Sequence, residues 1–136
     1  MVIMGSGRTG SLLARLLTDA GHDVTIIDWE QSAFDRLPQD FRGRTVLGNG
    51  VDQETLTRAG LEDAEVFVAA TSGDNRNIMA SEIARNVFHV PRVISRVKDP
   101  NRAGIFTQLG IEVDCRTTQG AHAILSEVGQ EDLLSS

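Results

Sequence analysis

The sequence predicts one doubly wound α/β domain over residues 1–136, a six-stranded parallel sheet with helices on both faces. Three observations carry this. Short β-branched or apolar runs alternate with helical patterns almost without linker, as right-handed crossovers on a parallel sheet require. The first run ends in a glycine-rich loop, Gly5-Ser6-Gly7-Arg8-Thr9-Gly10, which opens a helix. The second run closes on Asp28, eighteen positions after Gly10, near the ~20 expected where an acidic side chain meets a ribose. The strand order expected is 3-2-1-4-5-6, because two βαβαβ halves diverge from a switch point beside the glycine loop.

Each element has its own signal. Met1 to Met4 form the first strand. In the helix that follows, Leu12, Leu16 and Ala20 share a face with Leu13 and Leu17 beside them, and Gly21 ends it. Val24-Thr25-Ile26-Ile27 is β-branched and apolar, as in a strand covered on both faces. Thr45-Val46-Leu47 leads into Gly48-Asn49-Gly50, and Asp52 is the expected N-cap of a helix ending at Gly60. Val66 to Ala70 is the most apolar strand; after Thr71-Ser72-Gly73-Asp74 comes a helix expected to bury Ile78, Met79, Ile83 and Val87. Val93-Ile94-Ser95, a helix over 103–109, a strand over 111–115 and a last helix complete the chain.

The chain suffices for one core, burying about two-thirds of its unfolded surface. Nineteen acidic residues against thirteen basic ones, with no basic run, disfavour a nucleic-acid or polybasic membrane surface. The longest apolar stretch, Val66 to Ala70, falls far short of the ~20 residues of a membrane helix, and no signal peptide is visible. One cysteine, Cys115, allows no internal disulfide and disfavours a thiol zinc site; it reads as a small buried side chain. The chain has no tyrosine, which removes the Tyr–Lys proton relay of one dehydrogenase class. Lys98, the only lysine, follows no P-loop. A cytoplasmic setting fits these features.

The glycine loop is a phosphate site in form. Gly5 permits the tight turn, Gly7 lets backbone approach a pyrophosphate, and Gly10 allows close helix-to-strand packing; the helix N-terminus then receives the anion. Ser6 and Thr9 belong to the same loop. Asp28 is expected to accept from both ribose hydroxyls and to repel a 2′-phosphate, favouring NAD over NADP. Arg8 either reaches a phosphate or is a solvated surface residue. Trp29 either flanks adenine or packs against the second helix. Asn49, before Gly50, can donate and accept at an adenine edge. Thr71, Ser72 and Asp74 end the fourth strand, Asp74 being either a site residue or an N-cap. Asn77 and Arg96 either reach the ligand or brace loops. His22, His89 and His122 stand at no strand's carboxyl end, so none is placed as a general base.

The chain resembles the regulatory nucleotide-binding domain of Trk-type potassium uptake systems, the RCK or KTN N-terminal domain, over roughly residues 1–111. The likeness rests on GSGRTG with its inserted Arg8, on Asp28, on Gly48-Asn49-Gly50 with Asp52, on Thr71 to Asn77, and on Ser95-Arg96-Val97-Lys98-Asp99-Pro100. It implies a cytoplasmic, non-enzymatic subunit that docks at the inner face of the membrane on a potassium transporter or channel. Gating would follow bound NAD, NADH, ATP, ADP or AMP. The family's second ligand-binding lobe is not present, residues 115–136 fit its pattern poorly, and the close start at Gly5 suggests residues missing in front. The alternatives are an NAD-dependent oxidoreductase domain lacking its substrate half, and a scaffold with an empty pocket. Ala103, Ile105, Phe106 and Leu109 give one helix apolar positions on more than one face, so a homodimer through Phe106 or Leu109 is expected, with larger rings in the full assembly.

Overall fold

The computed structural model describes residues 1–135. Its elements run β1 (Val2–Met4), α1 (Arg8–Asp19), β2 (Thr25–Asp28), β3 (Arg44–Leu47), α2 (Gln53–Arg58), β4 (Val66–Ala69), α3 (Asp74–Asn86), β5 (Arg92–Arg96), α4 (Pro100–Gln108), β6 (Glu112–Asp114) and α5 (Arg116–Glu127). The sheet has the expected order, β3-β2-β1-β4-β5-β6, with every pair parallel. β1 is the switch point: Ile3 pairs with Ile26 on one side and Val68 on the other. The β2–β3 crossover is a 3₁₀ segment, Gln31–Arg36, rather than an α-helix.

Period-two alternation sorts the strands into two cores. Val2, Met4, Ile27, Phe67, Ala69 and Val93 point to one face, where Leu56 of α2, Ala80 and Ala84 of α3 and Phe106 of α4 cover them. Ile3, Ile26 and Ala70 point to the other, under Ala14, Leu13 and Leu17 of α1 and Phe34 of the 3₁₀ segment. Helices thus lie on both faces, but unequally: α5 buries no residue. Ile94 and Val68 remain half-buried. At the sheet's edge Arg92 ties β5 to β6 by donating two hydrogen bonds to Glu112, 2.8 and 3.0 Å long.

Several expected faces are corrected by the packing. In α1 the buried positions are Gly10, Ser11 and Ala14, while Leu12 and Leu16 are about half exposed, at 49% and 52%. In α3 they are Asn77, Ala80, Ser81 and Ala84; Met79 and Val87 face outward and Ile78 and Ile83 are only half-buried. The reason is the same in both: a helix lying close on a sheet seats small residues at the contact line, and larger ones reach down from its flanks or point away. Phe106 is a core residue, 1% exposed, and so forms no part of an outer surface; Ile105 and Leu109 are the exposed apolar positions of that helix region.

Local chemistry sets the helix ends. Asp52 caps α2, accepting from the Glu54 N–H at 3.2 Å. Asp99 caps α4 by accepting from Asn101 at 2.9 Å, and Pro100 begins the helix where its missing N–H costs nothing. The turn between β4 and α3 is held from inside by Asn77, fully buried. Its Oδ1 accepts from the Thr71 N–H and hydroxyl, and its Nδ2 donates to the carbonyls of Thr71 and Arg96 at 3.0 and 2.9 Å. One side chain therefore joins the ends of β4 and β5. Asn77→Ala would leave buried donors and acceptors unpaired, and we expect a loss of about 2–3 kcal/mol in denaturant unfolding, with the β4–α3 turn losing amide-exchange protection first.

Candidate functional site

The carboxyl ends of β1, β2, β3 and β4 gather the glycine loop, Asp28 with Trp29, Asn49, and Thr71 with Ser72. The glycine loop is seated by two contacts. Gly5 has a φ of +108°, which disfavours a side chain. A Cβ on Gly10 would lie 1.8 Å from the Gly5 carbonyl oxygen, so α1 rests directly on the loop. Beside Gly7 no heavy atom lies within 4 Å of where a Cβ would stand, leaving its backbone approachable. Gly7 is the N-cap of α1 and no side chain caps that helix. The N–H groups of its first turn therefore stand at the positive end of the dipole without a side-chain acceptor, the arrangement that receives a phosphate.

Asp28, 8% exposed, ends β2 beside this loop. Its Oδ2 accepts from the Ser6 N–H and its Oδ1 from the Glu30 N–H, both at 2.9 Å. A carboxylate accepts roughly four hydrogen bonds, so each oxygen keeps a lone pair for a further donor. The two bonds also fix the carboxylate's orientation. A vicinal diol with its phosphate at α1 matches this pair of acceptors.

Next to Asp28 a cleft of ≈ 540 Å³ opens, lined by Trp29, Asn49, Val51, Thr71, Ser72 and Arg76 among others. Trp29 is 43% exposed and is not packed into the core. The Arg76 guanidinium, from the first turn of α3, lies over its indole, 3.7 Å from the ring centroid. Asn49 holds its own turn by accepting from the Val51 N–H at 3.1 Å, which leaves its amide NH₂ unengaged. Thr71 is shaped by its bonds to Asn77 and by accepting the Gly73 N–H at 3.2 Å. The cleft thus has an aromatic wall and a polar edge, and Trp29 follows Asp28 directly in the chain, features that suit a purine nucleoside.

Asp28, Trp29, Asn49, Thr71 and Ser72 thus come together, with Gly5, Gly7, Thr9 and Gly10 in the adjoining loop. Of the remaining expected site residues, several serve the fold instead, and Arg8 and Arg96 line other depressions. Ser6 is buried; its hydroxyl donates to the Ala33 carbonyl at 3.0 Å, so its side chain braces the β2–β3 crossover. A Cβ on Gly50 would lie 2.2 Å from the Met4 sulfur, which makes its bareness a packing requirement. Asp74 is neither at the cleft nor an N-cap: Gly73 holds that position, and the Asp74 carboxylate accepts from the N–H groups of Lys98 and Asp99 at 2.8 and 3.1 Å. Asn77 has every polar group engaged within the fold, so its expected ligand contact is withdrawn. Arg96 lines a different cleft of ≈ 430 Å³, with Thr9, Leu13 and Leu17 of α1 and Arg116. Arg8 is exposed at the start of α1, in a third surface depression with Arg116. None of the three histidines lines the nucleotide-sized cleft. Arg76 and Met79 were missed by sequence reasoning; a long side chain in the first turn of a helix that starts at a strand's carboxyl end is the signal that points to Arg76.

Comparison with known proteins agrees with this geometry. The TrkA-N domain profile matches residues 1–115. A Trk system potassium uptake protein TrkA of Streptomyces coelicolor is 50% identical over 111 residues, covering 82% of this chain and 50% of that protein. A TrkA homolog of Methanothermobacter thermautotrophicus is 38% identical over 112 residues, covering 82% and 51%. The chain therefore spans about half the length of the curated relatives it matches. Among solved structures, the TrkA-N domain of the Escherichia coli inner membrane protein ybaL superposes with a TM-score of 0.82 at 24% identity, over 92% of this chain and 93% of that one. The Shewanella denitrificans Kef CTD in AMP-bound form gives 0.77 at 23%, over 98% and 85%. The GsuK channel bound to NAD gives 0.72 at 19%, over 86% and 21%. At these identities the structures speak to the fold, whereas the profile and the relatives speak to descent: this chain belongs to the TrkA-N domain family.

Proposed function

We propose that this domain is the nucleotide-sensing module of a potassium uptake system. It takes NAD or NADH, or ATP, ADP or AMP, at one site, and its occupancy biases a membrane-bound potassium transporter or channel. The observation that carries the reading is the pairing of Asp28, held by two backbone N–H groups, with the uncapped N-terminus of α1. One receives a ribose diol and the other its phosphate. The NAD- and AMP-bound neighbours and the TrkA relatives support it. Gly7, Arg8 and Thr9 would meet the phosphates, Asp28 the ribose, and Trp29, Asn49, Thr71 and Ser72 the base.

The reading is of a regulator rather than an enzyme. A ligand shifts a gate only as far as its affinities for two conformations differ, so binding energy is the whole of the chemistry required. No helix among the described residues is long and apolar enough to cross a membrane, so coupling would pass through a partner at the cytoplasmic face. A homodimer is part of the proposal, with its contact moved from Phe106 to the outward Ile105 and Leu109.

Titration calorimetry with NAD, NADH, ATP, ADP and AMP tests the site directly; saturable binding of at least one is expected, and absence of all five would refute the reading. A 2′-phosphate about 4 Å from the Asp28 carboxylate costs on the order of 4 kcal/mol at an effective dielectric of ~20. NAD should therefore bind at least about 100-fold more tightly than NADP, and Asp28→Ala should shrink that ratio to about tenfold or less. Equal affinities in the unaltered protein would remove Asp28 from the ribose. No NADH oxidation with alcohols, hydroxy acids or aldehydes is expected; steady turnover would restore the oxidoreductase alternative. Sedimentation at micromolar concentration should show a dimer that Ile105→Asp or Leu109→Asp dissociates, and a monomer in the unaltered protein would remove the interface.

A further inference from the structure

The cleft beside Asp28 carries one feature that simple binding does not need. Trp29 follows β2 on one wall and Arg76 stands in α3 on the other, and the guanidinium carbon lies over the indole, 3.7 Å from its centroid. Both side chains line the same cleft, so a base stacking on the indole face under the guanidinium would have to displace it. Aromatic and planar groups stack at about 3.5–4.0 Å. A purine between indole and guanidinium would need roughly twice that separation, and the observed gap holds no ring.

We propose that Arg76 is a latch on the purine subsite: it occupies the face of Trp29 that the base must take, and sets nucleotide affinity by competing for it. The inference rests on the reading of this cleft as an adenine-nucleotide site. Among the described residues Arg76 forms no ion pair or hydrogen bond, and the indole is its partner. Its backbone is anchored, since the neighbouring Asn77 is buried and bonded to Thr71 and Arg96. Opening the latch is therefore a rotation of one flexible side chain, with α3 left in place. The half-exposed Met79, one turn further along α3, lines the same cleft and offers a soft surface for the displaced guanidinium.

Trp29 is the only tryptophan, and the chain has no tyrosine, so intrinsic emission reports this stack alone. AMP is the probe, because it carries no nicotinamide, whose reduced form in NADH absorbs the indole's emission and whose oxidised form can itself quench it. Titrating AMP should quench Trp29 emission saturably, with a midpoint that matches calorimetry, while ribose 5-phosphate, which has the sugar and phosphate but no purine, should leave emission unchanged. Removing a partly exposed cation–π contact should raise AMP affinity roughly two- to fivefold in Arg76→Ala, and Arg76→Lys should fall between it and the unaltered protein. Calorimetric binding of AMP with unchanged emission, quenching by ribose 5-phosphate equal to that by AMP, or equal or weaker AMP binding by Arg76→Ala would each overturn the latch while leaving the nucleotide site standing. Failure of every adenine nucleotide to bind either protein would instead remove the site and the latch together.

Discussion

The close approach of Gly10 to the Gly5 carbonyl is the contact on which the rest of the site depends. A Cβ at Gly10 would sit 1.8 Å from that oxygen, so any side chain would lift the first turn of α1 off the end of β1. Lowered onto the strand, the helix presents its unpaired N–H groups at the sheet's carboxyl edge, where an anion can reach them. The turn also directs the Ser6 N–H into the Asp28 carboxylate, coupling the glycine loop to the end of β2 through a single peptide. An overall acidic protein, at −6, can thus hold an anion, because a few fixed dipoles at short range outweigh a diffuse net charge screened by solvent.

A second frame stands on the other side of the switch point. Asn77 joins the ends of β4 and β5, and Asp74 ties the start of α3 to the backbone leading into α4. Both residues face inward or sideways and spend their polar groups on the protein itself. They hold still the Thr71-Ser72-Gly73 wall of the cleft. With the backbone of that wall braced, the side chain of Arg76 is the part of it left free to move.

The two sheet faces are filled unequally. One carries α2, α3 and α4 over a continuous core, and the other carries α1 and the 3₁₀ segment over a smaller one. Near β5 and β6 the second face retains half-buried Val68 and Ile94 and a cleft that Arg96 and Arg116 line. α5 contributes nothing buried. Its outward Ile124 and the exposed Ile105 and Leu109 lie in the segment where sequence patterning says least about orientation.

Fold class, strand order and the glycine loop with an acidic residue closing β2 were legible in the amino-acid sequence because each rests on local chemistry. β-branched runs extend, glycines permit the turn, and an acidic residue at a strand end falls beside the switch point whatever the rest of the chain does. The caps at Asp52 and Asp99 are equally local. Which helix face is buried was decided by tertiary packing, since Ala14 and Ala84 win the contact line over Leu12 and Met79 through size rather than hydrophobicity. Phe106 was drawn inward as well, joining the core on the α4 side of the sheet. The division of Asp74, Asn77 and Arg96 between bracing and binding, and the meeting of Trp29 with Arg76, join residues many positions apart. Distance across a cleft is set by how strands and helices stack, and sequence spacing carries no measure of it.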